Sequence, residues 1–351
     1  MSDNVAAGRR MPAEWEAHDR CWMAFPSPNA TFEEEGGPEL ARARTAWSRV
    51  ANTVARFEPV TVVVDPGSAA AAAELLDPSI TRVEAALDDA WMRDIGPTFV
   101  HGGADGATGV TAVDWTFNGW GGQSWSRWED DSQVARFVAA QAGTACESTT
   151  FVQEGGGFHV DGAGTVLLTD TVQRDPGRNP GWSREQVEAE VHARLGTTTA
   201  IWVPRGLTAD YGEFGTRGHV DIVAAFTRPG TVLVHTQTAA GHPDVEVSRE
   251  VTEILSQATD AAGNRLDVLA LPAPDTLEVE GELVDYSYVN HYVGNGFVVL
   301  CAFDDPQDAV AKAVLEKAYP GREVVLVDAR DIFRFGGGIH CITQQQPTPA
   351  R

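Results

Sequence analysis

The chain has 351 residues and 43% hydrophobic content, enough for a sizeable core in either one large domain or two. Its formal net charge of -24 argues against a nucleic-acid partner, because phosphate binding needs basic clusters and none is longer than Arg9-Arg10. No apolar run approaches the ~20 residues of a membrane span, and none follows Arg9 and Arg10 as in a secretory signal, so no membrane partner and a cytoplasmic location are expected. The acidic balance suits a cationic substrate as well as plain solubility.

Leu40, Trp47, Val50, Val54 and Phe57 recur at helical spacing and predict a first helix, followed by a buried strand over 60–64. An alanine-rich helix over 69–76 leads to a strand over 80–83. Residues 92–113 read as a loose hairpin that turns between Gly102 and Gly109. A helix over 134–142 and a strand over 149–152 precede a hairpin over 158–168, turning at Gly162 and Gly164. The helix over 183–195 opens on Ser183 and Gln186, the spacing of a capping box, and Gly143 and Gly196 stand where left-handed stops are expected. Then come a strand over 200–203, a hairpin over 219–234 and a helix over 247–262. A strand over 268–271, a hairpin over 288–300, a helix over 307–318 and a strand over 324–327 complete the series. This recurrence predicts one domain, residues 1–351, of about five α/β repeats around an axis, with polar residues at the hairpin starts converging on it. On a strand, period two turns His219 and Asp221 to one face.

The chemistry centres on Cys341, which follows Gly336-Gly337-Gly338-Ile339-His340; glycine lets a ligand come close to the backbone. Cys21, Cys146 and Cys301 match neither zinc-site spacing nor a small disulfide scaffold, so they read as structural and no metal is expected. A thiolate attacking a guanidinium carbon needs a base or a lowered pKa, and carboxylates to grip the planar cation. Asp94 and Asp221 are the candidates for the grip, and His219 for the acid and base. Glu154 is the group that would hydrogen-bond His219 and hold it charged. Taken singly, each has a structural reading: a half-buried His219, an Asp94 paired with Arg93, a Glu154 that marks a turn. Their joint occurrence with Cys341 favours a site. A cysteine hydrolase or acyltransferase could use Cys341, His219 and an acidic residue too, but paired carboxylates beside the nucleophile disfavour an oxyanion and favour a cation. A non-catalytic binding module has only the repeats and aromatics behind it.

Several segments recur in an order that carries a resemblance. They are Met11-Pro12-Ala13-Glu14-Trp15-Glu16, Trp22-Met23-Ala24-Phe25-Pro26, Trp91-Met92-Arg93-Asp94-Ile95-Gly96-Pro97, and Asp114-Trp115-Thr116-Phe117-Asn118-Gly119-Trp120-Gly121-Gly122. Glu154-Gly155-Gly156, Arg178-Asn179-Pro180, Gly218-His219-Val220-Asp221, Tyr288-Val289-Asn290 and the run from Gly336 to Pro347 follow. With these the chain resembles, nearly end to end, the agmatine deiminase and bacterial-type peptidyl-arginine deiminase family of guanidine-modifying pentein enzymes. The resemblance implies a five-bladed α/β propeller (pentein fold) with pseudo-fivefold symmetry and no metal or organic cofactor. It implies that Cys341 attacks the guanidinium carbon while Asp94 and Asp221 hold its nitrogens. His219, partnered by Glu154, then protonates departing ammonia and activates water. The implied reaction hydrolyses agmatine to N-carbamoylputrescine and ammonia through an S-amidino-cysteine, a step towards putrescine in polyamine biosynthesis.

One stretch departs from the family pattern. Members acting on agmatine carry Asp-Thr-Asp-Gly-His-Val-Asp-Asn, whereas this chain has Glu213-Phe214-Gly215-Thr216-Arg217-Gly218-His219-Val220-Asp221-Ile222. Gly215 stands for the aspartate the family uses on agmatine, with Asp210 or Glu213 available to substitute. Arg217 could instead face the carboxylate of free or C-terminal arginine, which would make the product citrulline, or it could turn to solvent or pair with Glu213. Trp91 and Trp120 are candidates to wall the guanidinium or alkyl chain, with core packing equally open. Amidinotransferases share the broader fold and stay an alternative. The oligomeric state is open, a homo-oligomer included.

Overall fold

In the computed structural model, which describes residues 8–103 and 109–350, one strand pattern recurs along the chain. The first sheet holds β1 (His18–Ala24), β2 (Val60–Val64) and β3 (Thr81–Glu84), all parallel. In the second, β4 (Thr98–His101) is antiparallel to β5 (Val110–Thr116), which is parallel to β6 (Ala145–Val152). The third repeats this with β7 (Phe158–Val160), β8 (Thr165–Thr169) and β9 (Thr199–Val203). The fourth repeats it with β10 (Ala224–Arg228), β11 (Thr231–Thr236) and β12 (Asp267–Pro272). A two-stranded ribbon, β13 (Glu278–Val279) and β14 (Glu282–Leu283), precedes the fifth sheet of β15 (Tyr292–Gly294), β16 (Phe297–Ala302) and β17 (Glu323–Asp328). Finally β18 (Gln344–Pro347) pairs antiparallel with β1, so the first sheet takes its antiparallel strand from the far end of the chain. The expected turn between Gly102 and Gly109 falls partly outside the described residues.

A helix joins the parallel strands of each sheet, as a parallel pair requires. Pro38–Val54 links β1 to β2, Val134–Ala142 links β5 to β6, and Arg184–Leu195 links β8 to β9. Asp244–Gln257 links β11 to β12, and Gln307–Ala318 links β16 to β17. The first begins with Pro38 in its opening turn and buries Leu40, Trp47, Val50 and Val54, each burial favouring the fold by ~1.5–3 kcal/mol. The third has the expected capping box of Ser183 and Gln186, and Gly143 and Gly196 are left-handed stops at φ 67° and 68°. The fourth ends at Gln257, short of the expected 262. There the Asp260 carboxylate accepts the N–H groups of Ala262 and Asn264 and turns the backbone out of the helix. No described helix is long and apolar enough to cross a membrane.

Short buried segments precede the antiparallel strand of each sheet, and they carry the polar residues. Met92–Ile95 leads into β4, Gly155–Gly157 into β7, and Val220–Ile222 into β10. Residues 288–290 lead into β15 and 339–343 into β18. One expectation fails here: His219 and Asp221 do not lie on a strand. Val220–Ile222 is a single 3-10 turn and β10 starts only at Ala224. Gly218 at φ 120° turns the chain, and the Asp210 carboxylate takes the N–H groups of Gly218 and His219, so a strand ladder cannot. The hydrophobic core reaches these segments through Trp47, which packs edge-on to Trp91 with ring centroids 5.1 Å apart and donates to the carbonyl of Ala90.

Candidate active site

Four of these segments bring Asp94, Glu154, His219, Asp221 and Cys341 into one buried group, every member at most 6% exposed. Glycine makes the convergence feasible. A Cβ at Gly156 would collide with His219 Nδ1 and lie 3.1 Å from Asp221 Oδ2, and one at Gly337 would lie 2.7 Å from the Trp91 ring and 3.2 Å from Cys341 Sγ. The glycines after Glu154 and before Cys341 are thus the floor and back wall of the site.

Each charged group has a defined anchor. Asp94 Oδ1 accepts from the Gly156 N–H at 3.0 Å, and its Oδ2 accepts from Trp120 Nε1 at 2.8 Å. Glu154 takes Arg178 Nε on both oxygens, at 2.9 and 3.0 Å, and faces His219 Nε2 at 3.3 Å. Asp221 Oδ2 accepts from His340 Nδ1 at 2.7 Å. Two groups are left over: His219 Nδ1 and Asp221 Oδ1 are buried without a hydrogen-bond partner among the described residues. His219 Nδ1 lies 3.9 Å from Asp94 Oδ2. Cys341 Sγ stands 3.6 Å from Asp221 Oδ2 and accepts from Asn290 Nδ2 at 3.2 Å. Orphaned polar atoms at this depth are costly; one belongs to Asp221, whose Oδ2 lies 3.6 Å from the thiol, and the other, His219 Nδ1, lies near Asp94, and a ligand with polar groups between these residues would complete them.

Electrostatics assigns protons. Burial opposes a charge on His219, but Asp94, Glu154 and Asp221 outweigh it and hold the imidazole up at about 9, so it is an imidazolium at neutral pH. Burial also works against Glu154, and Arg178 and His219 overcome it, bringing the carboxyl down to about 2. Asp94 goes up because burial exceeds the attraction of His219, whereas for Asp221 burial is overcome by His340, His219 and Arg93 together and the carboxyl goes down. Burial, with the charges of Asp221 and Asp94, pushes the Cys341 thiol well above its ordinary range. The site by itself therefore favours a neutral thiol beside carboxylates, a poor nucleophile until a cation enters.

The expected tail contacts divide. Asp210 is buried, and its oxygens are engaged by the N–H groups of Thr216, Gly218 and His219 and by the Thr216 hydroxyl. It holds the His219 loop and is not free to take a substrate ammonium. Arg217 pairs with Asp175 at 3.3 Å, not with Glu213, and Asp175 also faces Arg178 at 3.5 Å. Glu213 is exposed and lines a cleft of 1380 Å³ whose wall also includes Phe214, Asp285 and Gly336, the last opening the glycine run that ends at Cys341. Trp120 directs its N–H to Asp94 and stacks on Trp125, and Trp91 lies in the core against Trp47. Three residues had no role in the sequence reading: Arg178, Asn290 and His340. All lie in segments that carried the family resemblance, and that was their only signal.

One cluster could hold a metal ion by its donors: Glu14, His159 and His340 place ligand atoms within 4.8 Å of one another. Both nitrogens of His340 already face carboxylates, and the Arg93 guanidinium lies 4.0 Å from Glu14. A cation already occupies the electrostatic role there, so the cluster suits a proton better than a metal.

An α/β chain with this site belongs to the Porphyromonas-type peptidyl-arginine deiminase family, whose model matches residues 10–347. A Streptomyces coelicolor protein that carries the provisional name agmatine deiminase is 62% identical over 339 residues, 96% of this chain and 98% of that one. Agmatine deiminase of Ectopseudomonas mendocina is 40% identical, with 98% of this chain and 97% of that one covered. The structure of the Enterococcus faecalis agmatine deiminase, described as catalysing its reaction, superposes with a TM-score of 0.89 at 32% identity over 99% of both chains.

Proposed function

We infer that the chain is an agmatine deiminase, a hydrolase of the carbon–nitrogen bonds of guanidines. The carrying observation is the pairing of a buried thiol with Asp94 and Asp221, whose charges suppress the empty-site thiolate and suit a guanidinium between them. The names of the full-length relatives support the same reading.

The chemistry follows from the proton inventory. A guanidinium between Asp94 and Asp221 supplies N–H donors to the free Oδ1 of Asp221 and offsets the two negative charges, so the Cys341 thiol gives up its proton to solvent more readily. Sulfur adds to the guanidinium carbon. His219 Nδ1, unpartnered and carrying a proton, delivers it to the departing nitrogen, and ammonia leaves an S-amidino-cysteine cation. The neutral His219 next takes a proton from water and is again an imidazolium, hydroxide adds to the cation, and collapse of the adduct expels the Cys341 sulfur as N-carbamoylputrescine forms, the adduct's hydroxyl proton passing through solvent to restore the thiol. Glu154 keeps the ring oriented and its charge favourable throughout.

Three finer parts belong to the same proposal. The five sheets and the pairing of β18 with β1 support one domain built as a five-bladed ring with approximate fivefold symmetry. The acidic cleft wall supports electrostatic attraction of a small cation. Four cysteines without a disulfide support a cytoplasmic location.

The test is ammonia and ureido-product release from agmatine, free arginine and a peptide ending in arginine, with Cys341→Ala as control. Cys341-dependent turnover led by agmatine is expected; turnover unaffected by that replacement would remove the nucleophile assignment. Arg217 bears on the arginine alternative. Its pairing with Asp175 and half-exposed side chain make it a support of the Arg178–Glu154 network, not a receptor for a substrate carboxylate. Arg217→Asp is therefore expected to keep agmatine ahead of arginine and to change kcat/KM by less than about fivefold, the scale of an exposed ion pair. A reversal of that ranking would restore Arg217 as the selector.

A further inference from the structure

His340 stands immediately before Cys341, and its ring nitrogens join two carboxylates. Nδ1 meets Asp221 Oδ2 at 2.7 Å and Nε2 meets Glu14 Oε2 at 3.0 Å. Ionised carboxylates only accept, so both bonds form together when the ring carries both protons. Glu14 comes from the other end of the chain, in the Met11-Pro12-Ala13-Glu14-Trp15-Glu16 segment, and its Oε1 is fixed by the Val293 N–H at 2.9 Å. All three groups are at most 5% exposed.

We propose that His340, braced by Glu14, is a positioning residue for the guanidinium: it locks Oδ2 of Asp221 so that Oδ1, the buried atom without a partner, presents to the substrate. The inference rests on the deiminase reading of the site. Without the strut, Asp221 can rotate and use both oxygens on Asn290, Cys341 or water, and the substrate must first break those contacts. The charges facing His340 are consistent with this role. Burial opposes its cation most and Arg93 opposes it too, Glu14 and Asp221 favour it, His159 nearby is held neutral with a pKa lowered to about 3, and the ring stays above its ordinary pKa. His340 touches neither the reacting carbon nor the leaving group, so it acts through Asp221 alone.

The experiment compares His340→Leu with His340→Asn, whose amide can place an N–H near the former Nδ1 but cannot reach Glu14. The readout is the rate of Cys341 alkylation by cationic chloroacetamidine relative to neutral iodoacetamide, followed on the Cys341 peptide by mass spectrometry, alongside agmatine kinetics and thermal unfolding. His340→Leu is expected to lower the cationic preference about tenfold and to raise KM for agmatine by a similar factor, with His340→Asn regaining most of both. An unchanged preference in His340→Leu overturns the proposal, as does equal loss in both variants tracking equal loss of unfolding temperature, since packing alone predicts that. Wild-type protein with no cationic preference and no ammonia from agmatine overturns the deiminase reading itself. Normal wild-type turnover with an indifferent His340→Leu overturns only the positioning role.

Discussion

Asp221→Asn is expected to have two opposite effects on Cys341. In the empty enzyme the thiol should become easier to alkylate, because a negative charge 3.6 Å from sulfur disappears and burial is left as the main force holding the proton on. One charge at this range in a partly screened site corresponds to about a tenfold or larger gain in iodoacetamide rate near neutral pH. With agmatine the same replacement should lower kcat/KM by about 2–5 kcal/mol, roughly thirty- to several-thousandfold, since a guanidinium N–H loses its charged acceptor. A nucleophile that becomes more reactive while the enzyme becomes less active is difficult to obtain from unfolding. If alkylation and turnover fall together, Asp221 holds structure instead of cation.

His219→Asn should lower kcat by about 10²–10⁴-fold, the usual worth of a positioned acid and base, with a much smaller change in KM because His219 is not part of the cation grip. The replacement also has a signature in stability. The folded pKa of His219 is raised from 6.5 to about 9, so its attraction to Glu154 and Asp94 contributes fully below pH 6.5 and is lost as pH rises through about 9. Glu154 behaves in the opposite sense: its pKa falls from 4.5 to about 2, so its contribution is present above 4.5 and lost as pH falls towards 2. Wild-type protein should therefore show a stability loss on the alkaline side centred between 6.5 and about 9, which His219→Asn removes; denaturant midpoints measured across pH decide the matter. An identical alkaline loss in both proteins would show that the imidazolium is not what couples stability to pH.

Helices and parallel strands were legible because their signals are local. Ser183, Gln186 and Gly196 announce one helix within fourteen residues, and the β-branched run at Val60–Val64 can hardly be anything but a buried strand. The site was legible in kind but not in geometry. His219 and Asp221 sit two apart, which suggests a strand face, but the chain there is shaped by an Asp210 carboxylate and a left-handed Gly218 that period two does not report. His340 was harder still, with partners 119 and 326 residues away. The engagement of Asp210 by its own loop was hidden for a related reason: a buried carboxylate beside N–H-rich loops is taken by the backbone first.

The pairing of β18 with β1 has a consequence for the timing of synthesis. Cys341, the proposed nucleophile, lies in the segment between β17 and β18, and Glu14, which bonds its neighbour His340, lies just before β1. A nascent chain can complete its four later sheets in order as they emerge, but the first lacks its antiparallel edge until β18 is released from the ribosome. Until then Cys341 has neither its carboxylate neighbours nor its backbone register, and β1 presents an unpaired edge to other chains. On the proposed mechanism, catalytic competence is thus coupled to synthesis of β18: products ending before Gln344 are expected to be inert towards guanidines and to be the species most exposed to strand-edge aggregation.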